Sequence, residues 1–468
     1  VHPRFEPVPP LAALTDRLGP KRVRSARGID ELPGAVAVTE SAWSKADGSP
    51  GVEAAYFGNP EFSGEPVLER TETRIGFDWS RFAPQASIPV DGWSARFKGR
   101  LSVPVSGRYE LELVRSGAAR AWLDGRPLFP ENSWRHGGLA HFEASVEFEA
   151  GRNYEVVIEY VDNGQRRALV KLGWRVPGRD LRADMIAEAA AIAAQSPAAL
   201  VVVGDPASEG RDRPGLSLGD SANRLVSAVA QANPRTVVVL SSGAPVAMPW
   251  IDDVEAVLLV WYPGQEDGPA VANLLTGRAN PAGKLPVTFA RRIEDYPAKT
   301  PQQYPGVAPE GAPDESWREA VYSEGVFVGY RHFDRAGIEP LFPFGHGLSY
   351  THFAWKDAQV ERAAEGNGWT VSLTLQNMGK VAGAEVVQLY VAPPGRSVPR
   401  PPKELKAFER VELEPRERQR VTLAVSEQDL AYWDPDRAAW TVEAGEHGLL
   451  LGASSRDIRL RLSIPAPD

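Results

Sequence analysis

Two patterns of apolar residues alternate along this chain. The first is continuous. Ala199-Leu200-Val201-Val202-Val203-Gly204, Thr236 to Leu240 and Val254 to Val260 are apolar but for Thr236 and Glu255 and read as strands buried on both faces. Helical spacing separates them, at Ala183 to Gln195, Asp220 to Ala232 and Asp267 to Leu275, and a further extended run follows at Lys284 to Phe289. Apolar strands alternating with helices predict a parallel sheet covered on both faces. The second pattern has period two. Between Gly51 and about residue 177, short alternating runs recur: Val52 to Phe57, Trp93 to Phe97, Arg108 to Leu113, Ala121 to Leu123, Phe142 to Phe148, Tyr154 to Tyr160 and Ala168 to Trp174. Asp124-Gly125 and Ala150-Gly151 supply turns between them. Such spacing predicts an all-β sandwich or barrel.

Residues 1–50 read as a short α/β piece. A helix is expected over Pro10 to Leu18, and strands at Arg22 to Gly28 and Ala35 to Val38. Too few apolar residues are present to close a core there, so the piece must dock on another element. The expected division is a first part of an α/β sandwich domain at 1–50, an inserted β-sandwich at 51–177 and the second part of the α/β domain at 178–290. A long proline- and glycine-rich linker follows at 291–350, and a second β-sandwich at 351–468, with strands at 370–375, 384–391, 420–425 and 448–452. The fold class is therefore multidomain α/β plus all-β.

Composition narrows the function. The 468 residues exceed what one core accommodates. A net charge of -9 with interspersed signs argues against a nucleic-acid partner. The absence of cysteine excludes disulfides, iron–sulfur clusters and a thiol nucleophile. No run reaches the roughly 18 apolar residues of a membrane-spanning helix. The N-terminus has no signal-peptide pattern and no initiating methionine, so the true start is expected upstream. The compartment stays open, with the cytoplasm favoured over secretion. The seven histidines have no metal-ligand spacing and no phosphate-binding glycine loop is present, so neither a metal nor any other cofactor is expected. Thirteen tryptophans lean toward a neutral polar ligand such as a carbohydrate, although core filling accounts for most of them.

One loop concentrates the candidate chemistry. Ser208-Glu209-Gly210-Arg211-Asp212-Arg213 follows an apolar strand and precedes a helix. Ligands of open α/β sheets bind at that end of the strands. Glu209 is thus a candidate catalytic acid, and a solvated loop with a local ion pair is the alternative. Glu266 and Glu324 are rival acids. Glu266 opens a helix, where an acidic residue is ordinary, and Glu324 could bond backbone amides in the linker. Trp261, Tyr262, Tyr330 and Phe344 are candidates to wall a cleft or to pack between domains, and His346 lies between glycines in a loop.

Ser208 to Arg213, Ala230 to Pro234, Pro249-Trp250, Trp261 to Glu266, Asn280 to Pro286, Tyr322 to Arg331 and Pro340 to Tyr350 occur in that order along the chain. Through these stretches it resembles the C-terminal part of glycoside hydrolase family 3 β-glucosidases. The C-terminal sandwich resembles that family's fibronectin type III-like domain through Glu385 to Tyr390, Lys403 to Phe408 and Asp429 to Trp433. The inserted sandwich resembles the protective-antigen-like domain of some members, through Trp122 to Gly125 and Ala150 to Tyr154. Where some relatives of that domain carry paired aspartates for calcium, this chain has Ser116-Gly117-Ala118-Ala119, expected as a turn.

The resemblance implies a retaining glycosidase, whose two carboxyl groups lie about 5–5.5 Å apart. It makes Glu209 the proton donor, with Arg211, Trp261 and Tyr262 as substrate-binding residues and Arg211, Asp212 and Arg213 shaping the loop. The family's N-terminal (β/α)8 barrel, which holds the nucleophile, has no counterpart here. The implied partners are a β-glucoside or oligosaccharide substrate and an upstream barrel domain or chain, with no nucleic acid and no membrane. Homo-oligomerisation stays open, as do the aglycone, linkage and chain length preferred. A non-catalytic carbohydrate-binding or scaffolding protein is the competing reading.

Overall fold

The computed structural model describes residues 8–29, 35–80, 83–134, 137–162, 164, 168–205, 213, 215–311, 317–363, 368–395 and 398–466. They divide into two compact units. One holds residues 24–199 and 224–236, the other residues 8–23, 200–223 and 237–466.

The first unit is built on an 11-stranded sheet. Its strands are β1 (Val36–Ala37), β2 (Trp43–Ser44), β3 (Val52–Phe57), β4 (Leu68–Glu72), β5 (Gly76–Ser80), β6 (Ser94–Ser102), β7 (Gly107–Leu123), β8 (Arg126–Pro127), β9 (Gly137–Phe148), β10 (Asn153–Val161) and β11 (Ala168–Arg175). The main path runs β1-β11-β7-β10-β6-β3-β4, and the pairings are antiparallel. Alternation decides which side chains face inward. In β6, Ala95, Phe97 and Leu101 are buried, while Arg96, Lys98 and Arg100 point outward. The pairing sets Ala95 opposite Tyr160, Phe97 opposite Ile158 and Leu101 opposite Tyr154, so apolar residues of both strands share one face. Trp93, Tyr56, Tyr109 and Trp174 complete this core.

β7 differs from expectation. The sequence suggested two strands with a turn at Ser116 to Ala119, but the chain runs as one 17-residue strand. Its first part pairs with β11 and β9, and from Ala118 it pairs with β10. Gly117 is the point of change. Its φ is +109°, and a Cβ there would sit 2.6 Å from the Val161 carbonyl oxygen and 2.7 Å from the Tyr160 hydroxyl. Glycine lets the strand bend without leaving the sheet. Ala118 and Ala119 are fully buried, so this stretch is interior strand rather than a ligand-binding turn. Arg22 to Gly28 also departs from expectation, being irregular where a strand was foreseen. Arg22, Arg24 and Arg27 keep it solvated, and only Gly28 of the run is buried.

Helix α1 (Pro10–Leu18) belongs to the second unit and α2 (Leu181–Ala194) to the first. Asp180 caps α2, accepting hydrogen bonds from the Arg182 and Ala183 amides. Helix α3 (Asp220–Ala232) has residues 220–223 in the second unit and the rest in the first. Asn233, just beyond it, donates to the carbonyls of Ala193 and Ser196 at the end of α2.

The second unit contains a three-stranded sheet ordered β12 (Ala199–Gly204), β13 (Thr236–Ser241) and β14 (Ala256–Leu259). β13 and β14 are parallel, with Val238 opposite Val257. Helix α4 (Asp267–Leu275) packs on α1, where Arg17 donates to Asn273 Oδ1 at 2.9 Å. The extended run at 284–289 is not a ladder strand, because Pro286 lacks an amide donor; it pairs with the chain near 342–346 only through Leu285 and Phe289. A short helix, α5 (Tyr330–Ala336), lies in the region expected as linker.

The same unit carries an all-β region of two facing sheets. One is ordered β15 (Phe353–Arg362), β16 (Gly368–Asn377), β19 (Arg418–Ser426). The other is ordered β18 (Glu404–Leu413), β17 (Gly383–Ala392), β22 (Glu446–Gly452), β23 (Ile458–Pro465). Val371, Leu373 and Leu375 meet Val387, Leu389, Leu449 and Leu451 in its core. A hairpin of β20 (Ala431–Asp434) and β21 (Ala439–Val442) is appended. The architecture is thus α/β plus all-β, as the patterning predicts.

Candidate active site at the carboxyl ends of β12, β13 and β14

Polar residues that follow the three strands of the small sheet converge: Asp205 directly after β12, Ser242 directly after β13 and Tyr262 three residues beyond β14. Asp205 follows β12, and its amide donates to the Ser241 carbonyl at 3.0 Å, extending the ladder by one residue. Its carboxylate side chain is fully buried. Such a charge is tolerated only when paired and hydrogen-bonded, and here three donors reach it. Arg213 Nη1 donates to Oδ2 at 3.0 Å, Ser242 Oγ to Oδ2 at 2.7 Å, and the Tyr262 hydroxyl to Oδ1 at 2.5 Å. Arg213 also donates to the Pro245 carbonyl.

Backbone geometry beyond β14 places the tyrosine. Trp261 has φ +54°, in the left-handed region that non-glycine residues rarely occupy. Its carbonyl accepts the Ser241 hydroxyl at 2.7 Å, and its ring packs edge-on against Phe289. The kink turns Tyr262 back over Gly243, where any Cβ would come within 2.6 Å of the phenol ring. Although Tyr262 is 58% exposed, its hydroxyl is directed inward to Asp205. Local burial of the oxygen, and then the Asp205 carboxylate that accepts its proton, push the phenol above its ordinary value.

Among the residues expected to form the site, Trp261 and Tyr262 therefore sit at the carboxyl edge of the sheet. Glu209, Arg211 and Asp212 lie outside the described residues. The segment that bears them, 206–212, begins and ends at the Asp205–Arg213 pair. The other candidates separate. Glu266 is exposed and its side chain caps nothing. The neighbouring Asp267 is the perturbed acid, its carboxyl pushed up by burial. Glu324 accepts from the Gln303 side chain at 3.1 Å rather than from backbone amides. Tyr330 accepts the Leu405 amide and packs against Phe344 and Tyr390, which makes it a packing residue. His346 stacks on Phe342, and burial, then Lys284, lowers its pKa. Among the described residues no cluster of three or more histidine, aspartate or glutamate side chains could hold a metal ion. Among the described residues no helix is long and apolar enough to cross a membrane.

Sequence reasoning overlooked Asp205 and Ser242. The available signal was positional: polar side chains directly follow two successive apolar strands, and a tyrosine lies three residues beyond the third.

Comparison with known proteins adds a lineage. Residues 32–330 match the glycosyl hydrolase family 3 C-terminal domain, and residues 385–455 match the fibronectin type III-like domain. A beta-glucosidase of Rhizobium radiobacter is 38% identical over 430 residues, covering 88% of this chain and 51% of that protein. Thermostable beta-glucosidase B of Acetivibrio thermocellus is 43% identical over 297 residues, 62% of this chain and 38% of that protein. Among solved structures, beta-glucosidase from Kluyveromyces marxianus, in complex with glucose, superposes with TM-score 0.70 at 28% identity, covering 98% of this chain and 55% of that one. DesR, a beta-glucosidase from Streptomyces venezuelae in complex with D-glucose, superposes with TM-score 0.67 at 30% identity, covering 98% and 53%. The chain spans about half the length of these β-glucosidases. By these matches, and by the order of its domains, the chain belongs to glycosyl hydrolase family 3.

Proposed function

We propose that the chain is the C-terminal portion of a retaining β-glucosidase that removes terminal non-reducing β-D-glucosyl residues, with Glu209 as acid/base. In this reading the nucleophile resides in the N-terminal barrel of the family, and residues 51–177 form an inserted domain of protective-antigen-like type. The observation that carries the proposal is the buried polar cluster at the strand ends, which fastens both ends of the Glu209 segment. Ligand chemistry in open α/β sheets gathers at that edge. Membership in a family whose named relatives are β-glucosidases supplies the reaction class.

The chemistry divides as follows. A carboxylate of the barrel attacks the anomeric carbon while Glu209 gives its proton to the departing glycosidic oxygen. Water then attacks the glycosyl-enzyme, and Glu209 takes its proton, regenerating the starting state. The acid must be protonated near neutral pH at the first step, so a free arginine beside it would work against it. Arg213 is already committed to Asp205 and to the Pro245 carbonyl, which leaves it no unpaired charge to direct at Glu209. Trp261 and Tyr262, and Arg211 from the segment itself, are the proposed substrate-binding residues.

The test is hydrolysis of nitrophenyl β-glucoside by the chain alone and by the chain joined to a family barrel. Alone, it releases no nitrophenol beyond background, because a two-carboxylate mechanism with one carboxylate missing loses several orders of magnitude. Joined to the barrel, it turns over. Glu209→Gln then suppresses hydrolysis of alkyl glucosides, spares glycosyl-enzyme formation from dinitrophenyl glucoside, and is rescued by azide with formation of a β-glycosyl azide. Wild-type rates in Glu209→Gln would overturn the assignment and move attention to Asp267, Glu266 and Glu324.

A further inference from the structure

In the second unit, large apolar side chains left open to solvent are densest along one stretch of chain. Residues 302–307 and 317–323 lie antiparallel. The Val307 amide donates to the Glu319 carbonyl at 3.1 Å, the Glu319 amide to the Val307 carbonyl at 2.9 Å, and the Val321 amide to the Gln302 carbonyl at 2.9 Å. On these two pieces Trp317 is 63% exposed and Tyr322 78%, and Tyr304 and Val321 are exposed as well. Trp93, Trp174 and Trp250, by contrast, are buried, and the exposed Trp433 and Trp440 cover one another edge to face at 5.9 Å. We infer that this surface, continued by the exposed Val326 and Val328, is the docking face for the nucleophile-bearing barrel. The inference rests on the reading given above, in which the nucleophile resides in a barrel of the family.

The surface is preformed. At Gly306, where φ is +90°, a Cβ would sit 2.6 Å from the Glu319 carbonyl oxygen, so glycine lets the two pieces close on one another. Arg318 donates to the Gly306 carbonyl at 3.1 Å. Between Val326 and Val328, Phe327 is buried, with the Arg335 guanidinium 3.8 Å from the centre of its ring. An apolar surface already fixed in shape gives up little conformational entropy on association, and a contiguous exposed apolar patch marks an interaction site.

Its position beside the polar cluster identifies the occupant. The Gln303 side chain donates to the Pro297 carbonyl at 3.4 Å and to the Glu324 carboxylate at 3.1 Å, which ties the surface to the turn at 293–297. Tyr296 of that turn donates to the Thr288 carbonyl, and it lies near enough to Arg213 for the guanidinium to offset part of the rise that burial gives the phenol pKa. Arg213 belongs to the cluster at the strand ends. A partner seated on 302–328 therefore borders the carboxyl edge of the sheet, where a retaining mechanism needs its nucleophile about 5–5.5 Å from the acid. A second copy of this chain would bring no nucleophile there. The β-glucosidase relatives, of which the chain spans about half, hold enough further protein to cover the surface.

The test exploits the absence of cysteine. Tyr322→Cys and, as a control on β18, Phe408→Cys each place one thiol at an exposed position. Labelling with a maleimide, read at that residue by peptide mass spectrometry, is compared between the chain alone and the chain joined to a family barrel. Joining should slow labelling at 322 on the order of tenfold and leave 408 unchanged. Equal rates at 322 in a joined protein that hydrolyses nitrophenyl β-glucoside would overturn the inference and leave the proposed function standing. Labelling of the chain alone that slows as its concentration rises would give the face to a second copy, and would also overturn it. A joined protein that protects 322 yet hydrolyses no glucoside would uphold the docking face while the proposed function fails. Val321→Glu supplies a second arm, because an already exposed side chain can change without unfolding the chain. The urea midpoint of the chain alone should stay where it is, while turnover by the joined protein falls on the order of tenfold. Unaltered turnover, with position 322 still protected, would sink the assignment.

Discussion

In the core of the 11-stranded sheet, Trp93, Phe97, Tyr109 and Tyr160 pack against aliphatic neighbours on the inner face. At the carboxyl edge of the three-stranded sheet, a carboxylate, a guanidinium and two hydroxyls are gathered instead. Both arrangements rely on a glycine that accepts close approach, Gly117 in the first and Gly243 in the second. The difference lies in what the closeness achieves. At Gly117 it keeps one strand continuous across a bend and so secures a core. At Gly243 it lets an exposed ring reach a buried charge, which adds little to stability and much to geometry. Substitutions in the first region should therefore be read in unfolding, and those in the second should move global stability less.

The largest expected effect is at Gly117. Valine there meets backbone oxygen at 2.6 Å and must adopt φ +109°. Such a change combines steric strain with disruption of the sheet, and a loss of about 4 kcal/mol or more is expected. The first unit should then melt roughly 10 °C lower by near-UV circular dichroism. An unchanged midpoint would show that β7 does not need its bend.

Next comes Tyr160→Phe. The buried hydroxyl donates to the Ser116 carbonyl and accepts the Leu169 amide. Its removal leaves both groups without that partner, a cost of about 1–3 kcal/mol, measurable as a shift in the denaturant midpoint at constant slope. A silent mutation here would weaken the contrast drawn above.

Tyr262→Phe also removes one hydroxyl, but at the exposed edge. It should cost about 1 kcal/mol or less in global stability. Equal losses for the two tyrosine variants in urea unfolding would erase the distinction between the regions.

The smallest effect is at Asp267, whose carboxyl is raised by burial. The folded state binds its proton more tightly than the unfolded state does, so stability falls as pH rises through the interval between the two values. Asp267→Asn should thus be neutral or stabilising by less than about 1 kcal/mol at pH 7. The gap should close below the ordinary carboxyl value of 3.8. A destabilised variant at pH 7 would reveal a partner for the ionised form.

The extent to which the sequence announced these features follows physical lines. Helices α1, α3 and α4 and strand β3 lie within the bounds that periodicity suggests, because each has a face or run apolar enough to dominate local alternatives. Strands β4, β15, β18 and β23 escaped notice, and all four lie at the ends of their sheets. Edge strands carry charge outward to discourage pairing with other chains, which blurs the alternation that identifies them. Helix α5 escaped because a seven-residue helix burying only Phe333 has too few turns to show a period.

By itself, the sequence determined the α/β and all-β composition, the family, and the strand-to-helix segment that bears Glu209. Each depends on short-range pattern or on motifs in order. Tertiary structure alone decided that β7 is one bent strand, since Gly117 matters only where Tyr160 and Val161 close on it. It also decided that Asp205, Arg213, Ser242 and Tyr262 are a single cluster. Those four residues span 205 to 262, and no local rule relates them. They meet because three strands end side by side, and a charge excluded from water there must find its partners across the sheet.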